Sequence, residues 1–238
     1  MHSKFFSDRD ALSLEVAKLL LSKIPEETVV NVLISAGTMP MQVYEHMVTK
    51  LKQPQYAQVN YFVADEIPVN AGDVSMLTYA RLRDRFFIPA QIPMNRIHPL
   101  SNANIKEIDD TIAKAGGLDI ALLSMESDGH IAANLPGSSF ESESREVKVD
   151  KSNPNIVNAL QERIGKDLVV PDSVFTIGMK TIKKAKTIIL VAVGDQKANA
   201  VLYLMKAPLS ESLPASILHL HQNCHLMLDA GAAKGIHG

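Results

Sequence analysis

The sequence predicts an α/β fold, a mostly parallel sheet covered on both faces by helices, formed as one domain over residues 1–238. Three observations predict it. Short, β-branched, nearly all-apolar runs recur along the chain, as strands buried on both faces require. Each is followed by a Gly- or Asp-containing turn and then by a stretch of helical periodicity. The length of 238 residues, with 46% hydrophobic and 21% charged residues, suits one α/β domain with a sizeable core.

The first helix is expected from Ser7 to about Lys23, where Leu12, Val16, Leu19, Leu20 and Ile24 recur at helical spacing and Ser7 and Asp8 are available as caps. Residues 29–34 read as a buried strand ending at Ser35-Ala-Gly-Thr38, and Met41 to Leu51 as the helix after it, with Pro40 near its first turn. A second strand, residues 59–64, ends at Asp65-Glu66. A polar loop from Pro68 to Asp73 and a helix from Ser75 to Phe87 follow, then a connection punctuated by Pro89, Pro93 and Pro99. Ile105 to Lys114 reads as helix, stopped by Gly116-Gly117, and residues 118–124 as the strand that runs into Asp128-Gly129-His130. From Pro136 to about Pro171 the chain is polar and weakly periodic, which predicts mobile loops over a site. Ser173 to Lys186 reads as helix, residues 187–193 as strand, and Lys197 to Lys206 as helix after a Gly194 turn. A short helix from Ala215 to His221 and a last strand from Cys224 to Asp229 complete the chain.

The charge balance, 24 Lys and Arg against 26 Asp and Glu, gives a net charge of −2 and no general field for nucleic acid or anionic lipid. Neither is expected as a partner, so an anionic ligand has to be captured locally. Cys224, the single cysteine, cannot form an internal disulfide and reads as a small core residue. No apolar run approaches the roughly 18 residues of a membrane span, and the opening residues lack a signal-peptide pattern; the protein reads as cytoplasmic. His219, His221 and His225 have no ligand-spaced acids or cysteines beside them, so no metal site is expected. A homo-oligomer is compatible with the sequence.

In open α/β sheets, ligands bind beyond the carboxyl ends of the strands, and four predicted strand ends carry polar groups. At the first, Ser35, Ala36, Gly37 and Thr38 offer backbone N–H groups, two hydroxyls and a helix start to an anion. At the second, Asp65 and Glu66 are either general bases in a partly dehydrated cleft, with Glu66 in contact with substrate, or helix-capping or loop carboxylates. At the third, Asp128 and His130 flank the flexible Gly129, and a carboxylate beside an imidazole fixes its tautomer and raises its basicity. Lys197, past the fourth, is either an anion-binding charge or a solvated lysine.

Taken together, Ser35–Pro40, residues 64–66, residues 117–123, Asp128–Ala132 with Asn134, Pro136–Phe140, Arg145, Thr176–Gly178, residues 193–198 and Pro214–Leu218 resemble, in order, the glucosamine-6-phosphate deaminase family and its relatives, which include the 6-phosphogluconolactonases. The resemblance runs from about Val29 to Asp229. It implies a Rossmann-like α/β/α domain acting on a hexose phosphate, without a nicotinamide cofactor or a required metal. It also implies Asp65 as the base that moves a proton between C1 and C2 of the open-chain sugar, and His130, supported by Asp128, in opening the pyranose ring. Gly37-Thr38 and Lys197 would hold the phosphate, with Arg163 the nearest candidate for the family's phosphate arginine.

One position departs from the deaminase pattern. The deaminases carry a glutamate five residues after the active histidine, where this chain has Leu135. An apolar residue there is what lactonases tend to show, with the histidine activating water against a lactone carbonyl. Ile131, Asn134 and Pro136–Phe140 look closer to the deaminase branch, and the loop after Glu66 lacks the arginine typical of lactonases. The expectation is therefore a hexosamine-phosphate isomerase or deaminase, on glucosamine or galactosamine 6-phosphate, with its activity altered by Leu135. A 6-phosphogluconolactonase-like hydrolase and a non-catalytic sugar-phosphate sensor are the alternatives.

Overall fold

Apolar β-branched residues on both sides of a strand have to be covered from both sides, and the computed structural model, which describes residues 1–26, 28–69 and 76–236, shows how. Seven strands form one sheet: β1 (His2–Phe6), β2 (Val30–Ile34), β3 (Val59–Val63), β5 (Ile97–His98), β6 (Ile120–Ser124), β9 (Thr187–Ala192) and β10 (Cys224–Asp229). Their order is β1-β10-β9-β6-β2-β3-β5, and every neighbouring pair is parallel.

The side-chain alternation of the strands divides the core in two. Val32, Ile34, Tyr61, Val63, Ile120, Leu122, Ile189 and Val191 pack with α1 (Arg9–Ser22) and α2 (Thr38–Leu51) on one face. On the other, Leu33, Phe62, Ala121, Leu123, Ile188 and Leu190 meet α4 (Ile108–Lys114), α6 (Met179–Ile182), α7 (Ala198–Lys206) and the 3₁₀ turns of Pro214–Leu220. This is the expected three-layer α/β/α arrangement. Asp8 caps α1, accepting from the Ala11 N–H at 2.8 Å. Cys224 is fully buried, as read, and burial pushes its thiol up to about 12.

A second, antiparallel sheet has the order β4-β8-β7, formed by β4 (Asp65–Glu66), β7 (Arg145–Lys148) and β8 (Ser173–Thr176). Beneath it Ile67, Ala133, Ile164, Val170 and Val174 form a third apolar cluster with α5 (Pro154–Ile164). Two sequence expectations are corrected here. The polar stretch from Pro136 to Pro171 holds a strand and an 11-residue helix in place of loops alone. Ser173 to Lys186 is not one helix: its first four residues pair with β4 and β7, and only Met179–Ile182 is helical. The break comes at Gly178, where a β-carbon would lie 2.3 Å from the Ser142 carbonyl oxygen and the Glu143 carbonyl carbon. The strand β1 was not expected either.

Smaller differences concern boundaries. The helix expected from Ser75 is α3 (Leu77–Leu82) continued by a π turn through Phe87; its start and the loop as far as Asp73 lie partly outside the described residues. Among the described residues, no helix is long and apolar enough to cross a membrane.

Candidate active site

The strands β9, β6, β2 and β3 are consecutive neighbours in the parallel sheet, so the four strand ends singled out by sequence lie side by side at one edge. From β2 the chain proceeds to β3 and β5 on one side, then returns to place β6 on the other. The crevice therefore opens between the ends of β2 and β6, where the strand order reverses.

At that point Gly37, the N-terminal cap of α2, faces Ser124, the last residue of β6: a β-carbon on Gly37 would be 3.9 Å from that of Ser124. Ser124 Oγ is 3.3 Å from Lys197 Nζ, delivered by the turn after β9. The Lys197 side chain is only 12% exposed, which places its ammonium inside the crevice and not in bulk solvent. Ser35, buried at the end of β2, has a hydroxyl with no hydrogen-bond partner. Its carbonyl accepts from the Tyr44 hydroxyl at 3.0 Å. The α2 N-terminus and the largely buried ammonium, both against Ser124, make a cradle suited to an anion.

Asp65 stands at the next strand end. It is 3% exposed, and its Oδ2 lies 3.1 Å from Arg163 Nη2. For Arg163, burial disfavours the charge, but the attraction and hydrogen bond of Asp65, with Glu126 and Glu66 nearby, outweigh it and raise its pKa further. The Arg81 guanidinium donates to the Arg163 carbonyl, tying α3 to α5. Arg163, expected as a phosphate ligand, thus rests against the expected base.

Glu66 is placed differently from the expectation that it contacts substrate. It is fully buried behind Asp65, and its carboxylate accepts from the backbone N–H groups of Ile67 at 2.9 Å, Thr78 at 2.6 Å and Tyr79 at 2.9 Å. Burial pushes it up to about 7, against the pull of those donors and with a further push from Asp65. It clamps the start of α3 to the end of β4.

Asp128 and His130 form a pair, with 2.7 Å between Asp128 Oδ1 and His130 Nδ1, and the same oxygen accepts from the His130 N–H at 3.1 Å. Burial opposes ionisation of Asp128, yet its hydrogen bonds to His130 hold its carboxyl below the ordinary value. The pairing leaves Nε2 of the ring available for proton transfer. Gly129 makes the turn at a φ of +83°, and a β-carbon there would be 2.1 Å from Leu213 Cδ1. Leu135 is half-buried five residues beyond His130.

One residue that the sequence reading passed over joins these groups. Glu126 Oε2 lies 3.2 Å from Lys197 Nζ, its N–H donates to the His130 carbonyl at 3.0 Å, and its charge acts on Arg163. Its position, two residues past a strand end and just before Asp128-Gly129-His130, is the only sequence signal it gives. Among the described residues no hydrogen bond joins His130 to Asp65. Arg145, also singled out by sequence, bonds Asn134 and Ser138 at 3.0 Å each, so it braces both sides of Leu135.

The family model for glucosamine-6-phosphate isomerases/6-phosphogluconolactonase matches residues 7–227. The chain belongs to this family. It is 32% identical to a glucosamine-6-phosphate deaminase of Pseudoalteromonas translucida (strain TAC 125), over 98% of this chain and 90% of the relative. It is 31% identical to one from Oceanobacillus iheyensis, over 91% and 92%. Among solved structures, a monomeric glucosamine-6-phosphate deaminase superposes with a TM-score of 0.86 at 26% identity, covering 98% of this chain and 99% of that one. A 6-phosphogluconolactonase from Leishmania guyanensis shares the fold, with a TM-score of 0.77 at 18% identity over 99% and 98%. These family relatives are enzymes of sugar-phosphate chemistry.

Proposed function

We propose that the protein is a hexosamine-6-phosphate isomerase or deaminase that converts glucosamine or galactosamine 6-phosphate to a ketose phosphate, with ammonia release in the deaminating case. One observation carries the reading. The crevice between β2 and β6 has an anion cradle at its floor and a buried carboxylate, Asp65, at the adjoining strand end. In this reading the phosphate takes the N–H groups and hydroxyls of Ser35, Ala36, Gly37 and Thr38 together with the Lys197 ammonium. Arg163 turns from Asp65 toward the phosphate. Even before that turn Arg163 holds only Oδ2 of Asp65, so Oδ1 takes the proton from C2 and returns it to C1. His130, with its tautomer fixed by Asp128, moves the proton that opens the ring, and Gly129 lets the backbone turn beneath it. Asp65, Asp128 and His130 are the catalytic set.

Leu135 favours a second reading. An apolar residue five positions after His130 leaves the imidazole to activate water, and lactone hydrolysis by His130 would then need Asp65 only as an electrostatic support. Parallel assays on amino-sugar phosphates and 6-phosphogluconolactone separate the two. Ammonia or ketose phosphate is the expected product; turnover of the lactone alone would reject the isomerase reading. Tight sugar-phosphate binding with no turnover of either substrate would assign a sensor.

A further inference from the structure

In the ligand-free site each cation already has an anion: Arg163 faces Asp65 at 3.1 Å, and Lys197 faces Glu126 at 3.2 Å. The second pair is the informative one. Lys197 is held in place, with a 12% exposed side chain and a hydrogen bond to Ser124, whereas the Glu126 side chain is 45% exposed and, among the described residues, makes no hydrogen bond beyond this pairing. Ser124, which accepts from Lys197, borders Gly37, so the ammonium that Glu126 holds lies at the edge of the Ser35–Thr38 turn. A phosphate dianion seated on the Ser35–Thr38 turn and on Lys197 competes for that ammonium with a carboxylate at contact distance, because like charges repel there without a full solvent screen. Of the two, the exposed carboxylate is the one free to move.

We propose that Glu126 is a displaceable internal competitor for the anion site: it occupies Lys197 in the empty protein and swings into solvent when the phosphate group of a substrate binds. This rests on the reading of Lys197 as a phosphate ligand. The device sets a specificity by charge. A carboxylate ligand merely exchanges one carboxylate for another at Lys197 and gains little. A phosphate dianion carries more charge, adds the N–H groups of the α2 terminus, and displaces the glutamate. Glu126 touches Lys197 and not the reacting carbons, so it tunes affinity through the lysine.

Calorimetric titration of inorganic phosphate at pH 8 and fixed ionic strength tests this on the full chain as wild type, Glu126→Gln, Lys197→Ala and the double variant. Loss of the competitor should tighten phosphate binding roughly three- to tenfold in Glu126→Gln, as expected for a partly exposed, hydrogen-bonded ion pair. The gain should vanish in the Lys197→Ala background. Glu126→Ala is a second route to the same result if the glutamine variant melts early. Unchanged or weaker binding in both Glu126 variants, with Lys197→Ala still weakening the wild type, overturns the competitor and leaves the phosphate lysine standing. A gain that persists without Lys197 also overturns it, since Glu126 would then act by general repulsion. Phosphate binding indifferent to Lys197 in every background removes the lysine reading and this inference with it.

Discussion

Replacing Glu66 by glutamine should flatten the pH dependence of stability between pH 5 and pH 8. The carboxylate is fully buried, and burial raises it from an ordinary 4.5 to about 7 despite three backbone donors. Between those two values the folded protein binds this proton and the unfolded chain does not. Stability contributed by the group is therefore lost as the pH rises through the window and is constant above it. At 1.36 kcal/mol per pKa unit, the loss from pH 5 to pH 8 is roughly 2 to 3 kcal/mol. Glutamine is the isostere of the protonated acid and carries no such term, so histidines and other titrating groups cancel when the two proteins are compared. Urea unfolding of both at pH 5 and pH 8 reads the difference. The wild type should lose about 1 M in midpoint relative to the variant on going to pH 8. Parallel profiles for the two proteins would refute the assignment of a buried, proton-holding clamp.

Asp65→Asn should lower turnover of amino-sugar phosphates by roughly 10²- to 10⁴-fold with the fold intact, measured as ketose phosphate formed; a full rate in a folded variant removes Asp65 as the base. Leu135→Glu should raise ammonia release from glucosamine 6-phosphate about tenfold or more by restoring an acid near His130, and an unchanged kcat would show that the position does not govern ring opening. Gly178→Ala should cost roughly 3 kcal/mol or more, because its β-carbon meets the backbone of Ser142 and Glu143 and not a side chain that can turn aside. A melting temperature within about 2 °C of the wild type would contradict that close approach.

The parallel sheet was legible in the sequence because its inner strands are buried on both faces and so are written as nearly all-apolar runs, from Val30–Ile34 to Thr187–Ala192. The small sheet was not. Arg145–Lys148 exposes alternate charged residues and packs on one side only, which without its partners resembles a loop. Val174, Ile177 and Ile182 fall near helical spacing, and it is tertiary pairing of Ser173–Thr176 with β4 and β7 that overrides the helix this pattern predicts. The strand β1 lies at the sheet edge, where pairing with β10 selects its conformation more than its own polar composition does.

For the site, the strand-end rule located Asp65, the Asp128–His130 pair and Lys197, since each follows a recognisable strand. Which charge faces which is a property of packing. The pairing of Arg163 with Asp65 spans 98 residues of chain, and that of Lys197 with Glu126 joins two different crossovers. Neither has a local signature.

Asp65 sits at a corner. The residue before it, Ala64, donates to Ile34 of the parallel sheet and accepts from Ile177, while Asp65 itself pairs with Thr176 in the antiparallel one. The carboxylate is thus hung from a joint between two sheets and not from a loop. Its height above the crevice is set by how the smaller sheet leans on the larger, and that tilt depends on residues such as Val147 and Val174 that touch no ligand. A change in that apolar layer would move the proton-transferring atom while leaving every residue around the substrate unaltered. Divergence in activity among proteins of this architecture can therefore begin in a place where a comparison of active-site residues records no difference.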